Sequence, residues 1–305
     1  MCADRVLVGE GPNNWGRWGK EDERGALNLL TPEVVLAATR VCKTGVVYNL
    51  GLPIQMQGSA PLFAYRGTPQ RLTLTNQADP GAFIEYGASP DVGANEDVLV
   101  FASHTLTHMD ALSHVFAEGT LYNDFPSDAV RTNQGVPNCG IDKVRGVVGR
   151  AVHLDLPRHQ GVEWLEPGYA VTSAELEACR AAQNVEIRSG DILLVRTGFL
   201  EYWHSIGEPE VALQAGLGLD AVDFIRDHDI SVVGSDNSAI EPVPFDRGIF
   251  LGVHIELLVK LGVHLLEHVN LAALAADQVS ECLFVVAPLP VTGASGSPIN
   301  PIAIG

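Results

Sequence analysis

The chemistry of this chain is concentrated between Ser103 and Phe116, which read Ser-His-Thr-Leu-Thr-His-Met-Asp-Ala-Leu-Ser-His-Val-Phe. Three of the ten histidines and one aspartate fall in this stretch. His104, His108 and Asp110 offer two imidazoles and a carboxylate. That set suits a borderline divalent ion such as zinc, manganese or iron, and leaves coordination positions free for water or substrate. Free positions mark a catalytic rather than a purely structural site. The preceding run, VLVFA (98–102), reads as a strand. If the strand continues in extended form, the three even-numbered side chains project from one face. In a helix Asp110 would turn away from the two histidines, and the stretch lacks the glutamate of H-E-x-x-H. A reading without metal, in which the histidines only hydrogen-bond a loop, leaves many polar groups beside a buried strand in need of partners.

His114 takes a different role. Hydroxide attacking an amide carbon requires a group that delivers a proton to the departing nitrogen, and an imidazole that is neutral near physiological pH does this best. Spacing alone also allows His114 to be a further ligand.

The elements that must position these residues read as alternating strands and helices. Thr31-Pro32-Glu33 is an N-cap followed by proline at the first helical position, opening a helix through VVLAATRV. RLTLT (71–75) alternates as a strand. Thr172 with Glu175 forms a capping box ahead of a helix. DILLVR (191–196), ISVVG (230–234) and CLFVVA (282–287) read as strands, LDAVDFIRDH (219–228) and 252–261 as helices. The expected architecture is a single mixed α/β domain over 31–305 with an irregular N-terminal arm over 1–30.

Ser235-Asp236-Asn237 follows a strand at its carboxyl end, where open α/β sheets place ligand sites, although a plain turn reads equally well. The sequence gives no role to Asp236 or Glu241. Trp15, Trp18, Phe63 and Tyr65 could line a pocket for a flat aromatic ring or serve as packing residues.

The chain of 305 residues is 46% hydrophobic and carries a formal charge of −18 without a local basic patch, which argues against nucleic-acid or anionic-membrane partners. Cys2, Cys42, Cys139, Cys179 and Cys282 are odd in number and widely spaced, so neither a disulfide scaffold nor a zinc ribbon is expected. With no signal-peptide or membrane-length apolar run, a cytoplasmic protein is expected. No G-x-G-x-x-G or P-loop supports nucleotide chemistry, and GASGS (293–297) lacks the final glycine of a G-x-S-x-G elbow.

The motif resembles the signature of the bacterial cyclase family, which includes kynurenine formamidase and isatin hydrolase and whose usual form is H-x-G-T-H-x-D-x-P-x-H. His104, Thr107, His108, Asp110 and His114 match, while Leu106 replaces the glycine and Leu112 the proline. Neither departure removes a functional group, but both alter the shape of the pocket. SGDILLVRTG (189–198) and the ending from HIELLVKLGV to the closing G-S-P are similar to family segments. NNWGRWGKEDERGALNLLTPE resembles the longer, isatin-hydrolase-like branch.

The resemblance implies a swivelling β/β/α-type fold, a homo-oligomer (dimer or tetramer), and one or two divalent ions per subunit, zinc or manganese first. It also implies His254 and Glu267 as distal metal ligands, whereas His264 and His268 are expected at the surface. The expected activity is metal-dependent hydrolysis of an amide, imide or lactam C–N bond in an isatin-like or formyl-anilide substrate. The alternatives are a lactone hydrolase or dehydrating cyclase on the same site, or a metal-binding scaffold without turnover.

Overall fold

A computed structural model of the chain describes residues 5–55, 59–79, 81–209 and 213–305. Cys2 lies outside them, and the other four cysteines are free. In chain order the strands are β1 (Val47–Asn49), β2 (Gln70–Thr75), β3 (Glu96–Val100), β4 (His108–Asp110), β5 (Val147–Asp155), β6 (Ala170–Val171), β7 (Ile192–Arg196), β8 (Gly216–Leu217), β9 (Val232–Ser235), β10 (His264–Glu267), β11 (Glu281–Val286), β12 (Gly296–Pro298) and β13 (Ile302–Ile304). The helices are α1 (Pro32–Ala38), α2 (Leu156–Gln160), α3 (Ser173–Ala182), α4 (Phe199–Ser205), α5 (Val222–Asp227), α6 (Gly252–His254) and α7 (Ala272–Ala276); wide π-turns continue α6 over Ile255–Leu261.

Local chemistry sets the helix starts as expected. Thr31 accepts from Val34 N ahead of Pro32, and Thr172 and Glu175 exchange both capping-box bonds at the head of α3. Among the described residues nine strands form one mixed sheet in the order β1-β13-β11-β5-β7-β9-β10-β4-β12. Its centre, β5, β7, β9 and β10, is parallel. Of these, β7 (ILLVR) is the clearest apolar run, as expected where both faces of a strand are covered. Along β7, Leu193 and Val195 enter one core cluster with residues of α3 and α5, while Ile192 and Leu194 enter a second one against β11 and β13. The fold is therefore a mixed α/β domain, as the sequence implies.

One expected strand behaves differently. β3 does not run on into the histidine motif; among the described residues it pairs only with β2, in an exposed two-stranded ribbon where Leu72, Leu74, Leu99 and Val100 are all more than half exposed. Residues 101–107 turn, and β4 begins afresh at His108, wedged between β10 and β12. The alternation of RLTLT and the apolar run VLVFA specify strands, but carry no record of which sheet they join. The expected arm also packs down. Asn14 N donates to Lys260 O and Ala26 N to Gly262 O, which ties the arm to the end of the helix after His254. Among the described residues no helix is long and apolar enough to cross a membrane.

Candidate metal centre

The sheet register explains how residues far apart in sequence meet. In β4, His108 and Asp110 share one face and Met109 the other, and Met109 joins the second core cluster. On β10, Glu267 stands opposite His108 and Leu265 opposite Asp110. Cross-strand partners share a face with Cβ atoms about 5 Å apart, so Glu267 must meet His108, and the two lie 3.2 Å apart from Nε2 to Oε2. His254 enters from α6 and places Nε2 3.3 Å from Glu267 Oε1 and 3.8 Å from Asp110 Oδ2.

His104 arrives by a turn rather than along a strand, which corrects the expectation of three side chains on one extended face. Leu106 adopts φ +53° and reverses the chain between His104 and His108. The left-handed region favours glycine, so leucine here is strained. It is held by burial against Phe199, Leu200 and Trp203, and its carbonyl accepts from His108 Nδ1 at 2.7 Å. That bond turns His108 Nε2 to the cluster. Gly296 of β12, paired with Asp110, leaves space for His104: a Cβ there would lie 2.4 Å from His104 Nε2. Gly296 belongs to the closing G-S-P, whose steric role the sequence does not reveal. Leu112, the other departure from the family motif, is fully buried in the first core cluster.

His104 Nε2 and His108 Nε2 each lie 3.4 Å from Asp110 Oδ1. These are close contacts, and among the described residues neither oxygen of Asp110 nor either Nε2 has a hydrogen-bond partner, although all are buried. Buried polar atoms left in this way are costly and point to a missing partner. A tetrahedron with bonds of about 2.1 Å has edges of about 3.4 Å, so the separations match the edges around one ion. Donor atoms of His104, Asp110 and His114 lie within 4.8 Å of one another, as do those of His108, Asp110 and Glu267. Asp110 is common to both groups, and these residues could hold one cation or two.

The electrostatics follow from burial among opposite charges. Burial pushes His104 down to about 3 against the pull of Asp110. Burial also opposes charge on His108 and His254, but the attraction of their carboxylate neighbours outweighs it and holds them at about 9 and about 10. Burial alone would raise Asp110 and Glu267, yet the surrounding imidazoles keep Asp110 well below the usual carboxylate range and Glu267 at about 2. Two ionised carboxylates thus face the imidazoles, a donor set suited to a divalent cation. His114 follows a turn after β4, is only half-buried, and stacks on His104 at 3.9 Å between ring centroids. Burial lowers it towards the neutral imidazole.

His264 and His268, expected at the surface, are both buried. The mixed string HLLEH looks like a surface segment, but it forms a central strand and its exit. His268 has φ +52°, approaches Leu106 O with Nδ1 at 3.3 Å, and accepts Thr107 Oγ1 on its carbonyl at 2.6 Å. Asp236 lies beyond the end of β9 and accepts from Thr197 N, Thr197 Oγ1 and Gly198 N, which fixes the entry to α4. Glu241, which the sequence left without a role, contacts His254.

The expected aromatic residues separate into two pairs. Trp15 donates Nε1–H to Val259 O at 2.7 Å and Trp18 lies 4.8 Å from the Arg17 guanidinium. Among the described residues no hydrogen bond or ring contact joins either to the histidines; both pack the arm onto the core. Phe63 and Tyr65 stack at 5.8 Å and flank Arg66, whose Nη1 donates to His104 O at 2.5 Å. Arg66, absent from the sequence reading, connects this aromatic pair to the cluster.

Residues 48–242 match the Cyclase family. A solved structure described as a novel cyclase is 35% identical, with a TM-score of 0.87 over 96% of this chain and 98% of that one. Isatin hydrolase A from Labrenzia aggregata shares the fold at 18% identity, with a TM-score of 0.60 over 85% of this chain and 93% of its own. A protein described as a potential metal-dependent hydrolase with cyclase activity does so at 21% identity, with a TM-score of 0.51 over 85% of this chain and 98% of its own. No curated protein matches the chain in sequence.

Proposed function

The chain belongs to the Cyclase family, and from that premise we propose that it is a metal-dependent hydrolase opening an amide, imide or lactam C–N bond. One observation carries the reading: Asp110 and the Nε2 atoms of His104 and His108 are buried, unpartnered and spaced as ligands. His104, His108 and Asp110, with His254 and Glu267, would hold the cation. When bound, a divalent cation supplies Lewis acidity, polarising a carbonyl and acidifying water.

The protein's own residues supply the proton traffic. His114, half-buried at the margin of the cluster, takes a proton released from water and passes it to the leaving nitrogen, so that amide and water become carboxylic acid and amine. Phe63 and Tyr65, anchored through Arg66, offer aromatic surface beside His104 for a flat, isatin-like substrate. The test is elemental analysis of purified protein followed by assays on isatin, N-formylkynurenine and a panel of lactones, before and after chelation. Hydrolysis of a C–N substrate that stops on metal removal and returns on reconstitution is expected. Full activity after exhaustive metal removal overturns the mechanism, and turnover of lactones alone reassigns the bond.

A further inference from the structure

We infer that Glu241 is the positioning carboxylate of this centre, holding His254 so that its Nε2 is presented to Glu267 and Asp110. Glu241 Oε1 accepts twice from the same residue, from His254 Nδ1–H at 2.6 Å and from the His254 backbone N–H at 3.0 Å. With Nδ1 committed as the donor, Nε2 is the nitrogen left for ligation. A carboxylate on the outer ring nitrogen fixes the plane of a ligating imidazole and raises its basicity.

The surrounding loop holds Glu241 in place independently of the histidines. Gln214 Nε2 donates to Glu241 O at 2.8 Å, and Leu217 N donates to Ile240 O at 2.8 Å. Gly216 is required beneath them, since a Cβ there would lie 2.3 Å from the Glu241 carbonyl carbon. Ile240 accepts a left-handed φ of +57° to keep the path. Glu241 is itself 1% exposed, and among the described residues its second oxygen, Oε2, has no hydrogen-bond partner. A desolvated carboxylate held by a strained loop in this way is expensive as a mere cap for the short helix after Leu251.

The inference rests on the reading of the histidine cluster as a metal centre, and the experiment separates the two. Metal-free wild type, Glu241→Gln and Glu241→Leu are titrated with cobalt(II) by calorimetry and by its visible absorption, and their thermal melts are recorded without metal. The expected result is about tenfold weaker binding in Glu241→Gln and up to about 100-fold in Glu241→Leu, with an altered cobalt spectrum in both. Variants that fold and bind cobalt(II) like wild type overturn the role of Glu241 alone. So does a loss confined to the melting temperature. Failure of wild type to bind cobalt(II) and zinc(II) overturns the metal centre first.

Discussion

Two groups of ionisable side chains lie deep in this protein and follow opposite rules. On one side of the sheet Arg150 Nε and Nη2 reach both oxygens of Asp191, Nη2 also donates to Glu186 O, and Asp191 Oδ2 accepts Arg188 N as well. Only Arg150 Nη1 is left facing Glu281 at 3.4 Å. At the other group, His104, His108, Asp110 and Glu267 converge, yet both oxygens of Asp110 lack a hydrogen bond. The first group finds its counter-charge within the chain, with only Arg150 Nη1 left without a hydrogen bond among the described residues, so it stands as a structural joint. The second is arranged around a position the chain does not fill, which is the signature of a ligand site.

Removing one member of each group tests the difference most directly. Asp110→Asn is expected to lose the metal and more than about 10³-fold in turnover. The metal-free variant should lose less stability than Arg150→Met, because the attraction of the imidazoles that holds Asp110 ionised is lost but its repulsion of Glu267 is relieved. Arg150→Met should do the reverse. It leaves Asp191 buried without its cation, at about 3–5 kcal/mol of stability, while turnover per folded molecule is retained. Denaturant unfolding of the metal-free proteins, paired with kcat, reads both arms. Equal destabilisation by the two substitutions would erase the distinction.

A finer cut lies within the cluster. His114→Ala should reduce kcat by about 10²-fold or more and keep the full metal content. Loss of metal in step with activity would make His114 a ligand instead of a proton carrier.

Much of this centre was legible because His104, His108, Asp110 and His114 are close in sequence and chemically dense. What spacing could not convey was the path between them. An extended run from 98 to 110 would align the even positions, but the chain turns at Leu106, where a branched residue sits in a glycine-favoured conformation held by its packing. Such strain depends on tertiary contacts and leaves no local signal. His254 and Glu267 were reachable only through family likeness, since it is the β4–β10 register that brings Glu267 opposite His108. Glu241 was invisible for the same reason: its partner lies thirteen residues on, across a loop. His264 and His268 were misplaced because four-residue central strands with polar ends look like surface segments. The β2–β3 ribbon shows the converse, an apolar alternation that is exposed.

His264 is a third case, a buried ionisable group with neither a saturated partner nor a place among the converging donor atoms. Burial holds it down to about 3, against only a weak pull from Asp110, and its Nδ1 has no hydrogen-bond partner. An imidazole near 6.5 when unfolded and near 3 when folded takes up its proton only on unfolding. Its neutral form therefore imposes no penalty above about pH 6.5, and stability is lost progressively as the pH falls from there towards about 3, at up to about 1.4 kcal/mol per unit. Between pH 6.5 and 5 the loss from this one residue is about 1.6 kcal/mol. Denaturant midpoints of metal-free wild type and His264→Gln across that range isolate it, because the other histidines titrate in both proteins. The variant should show a flatter profile by close to one proton. Parallel profiles would mean that His264 is protonated in the folded protein, and that the sheet beside the cluster tolerates an unpaired charge which the rest of this fold takes care to match.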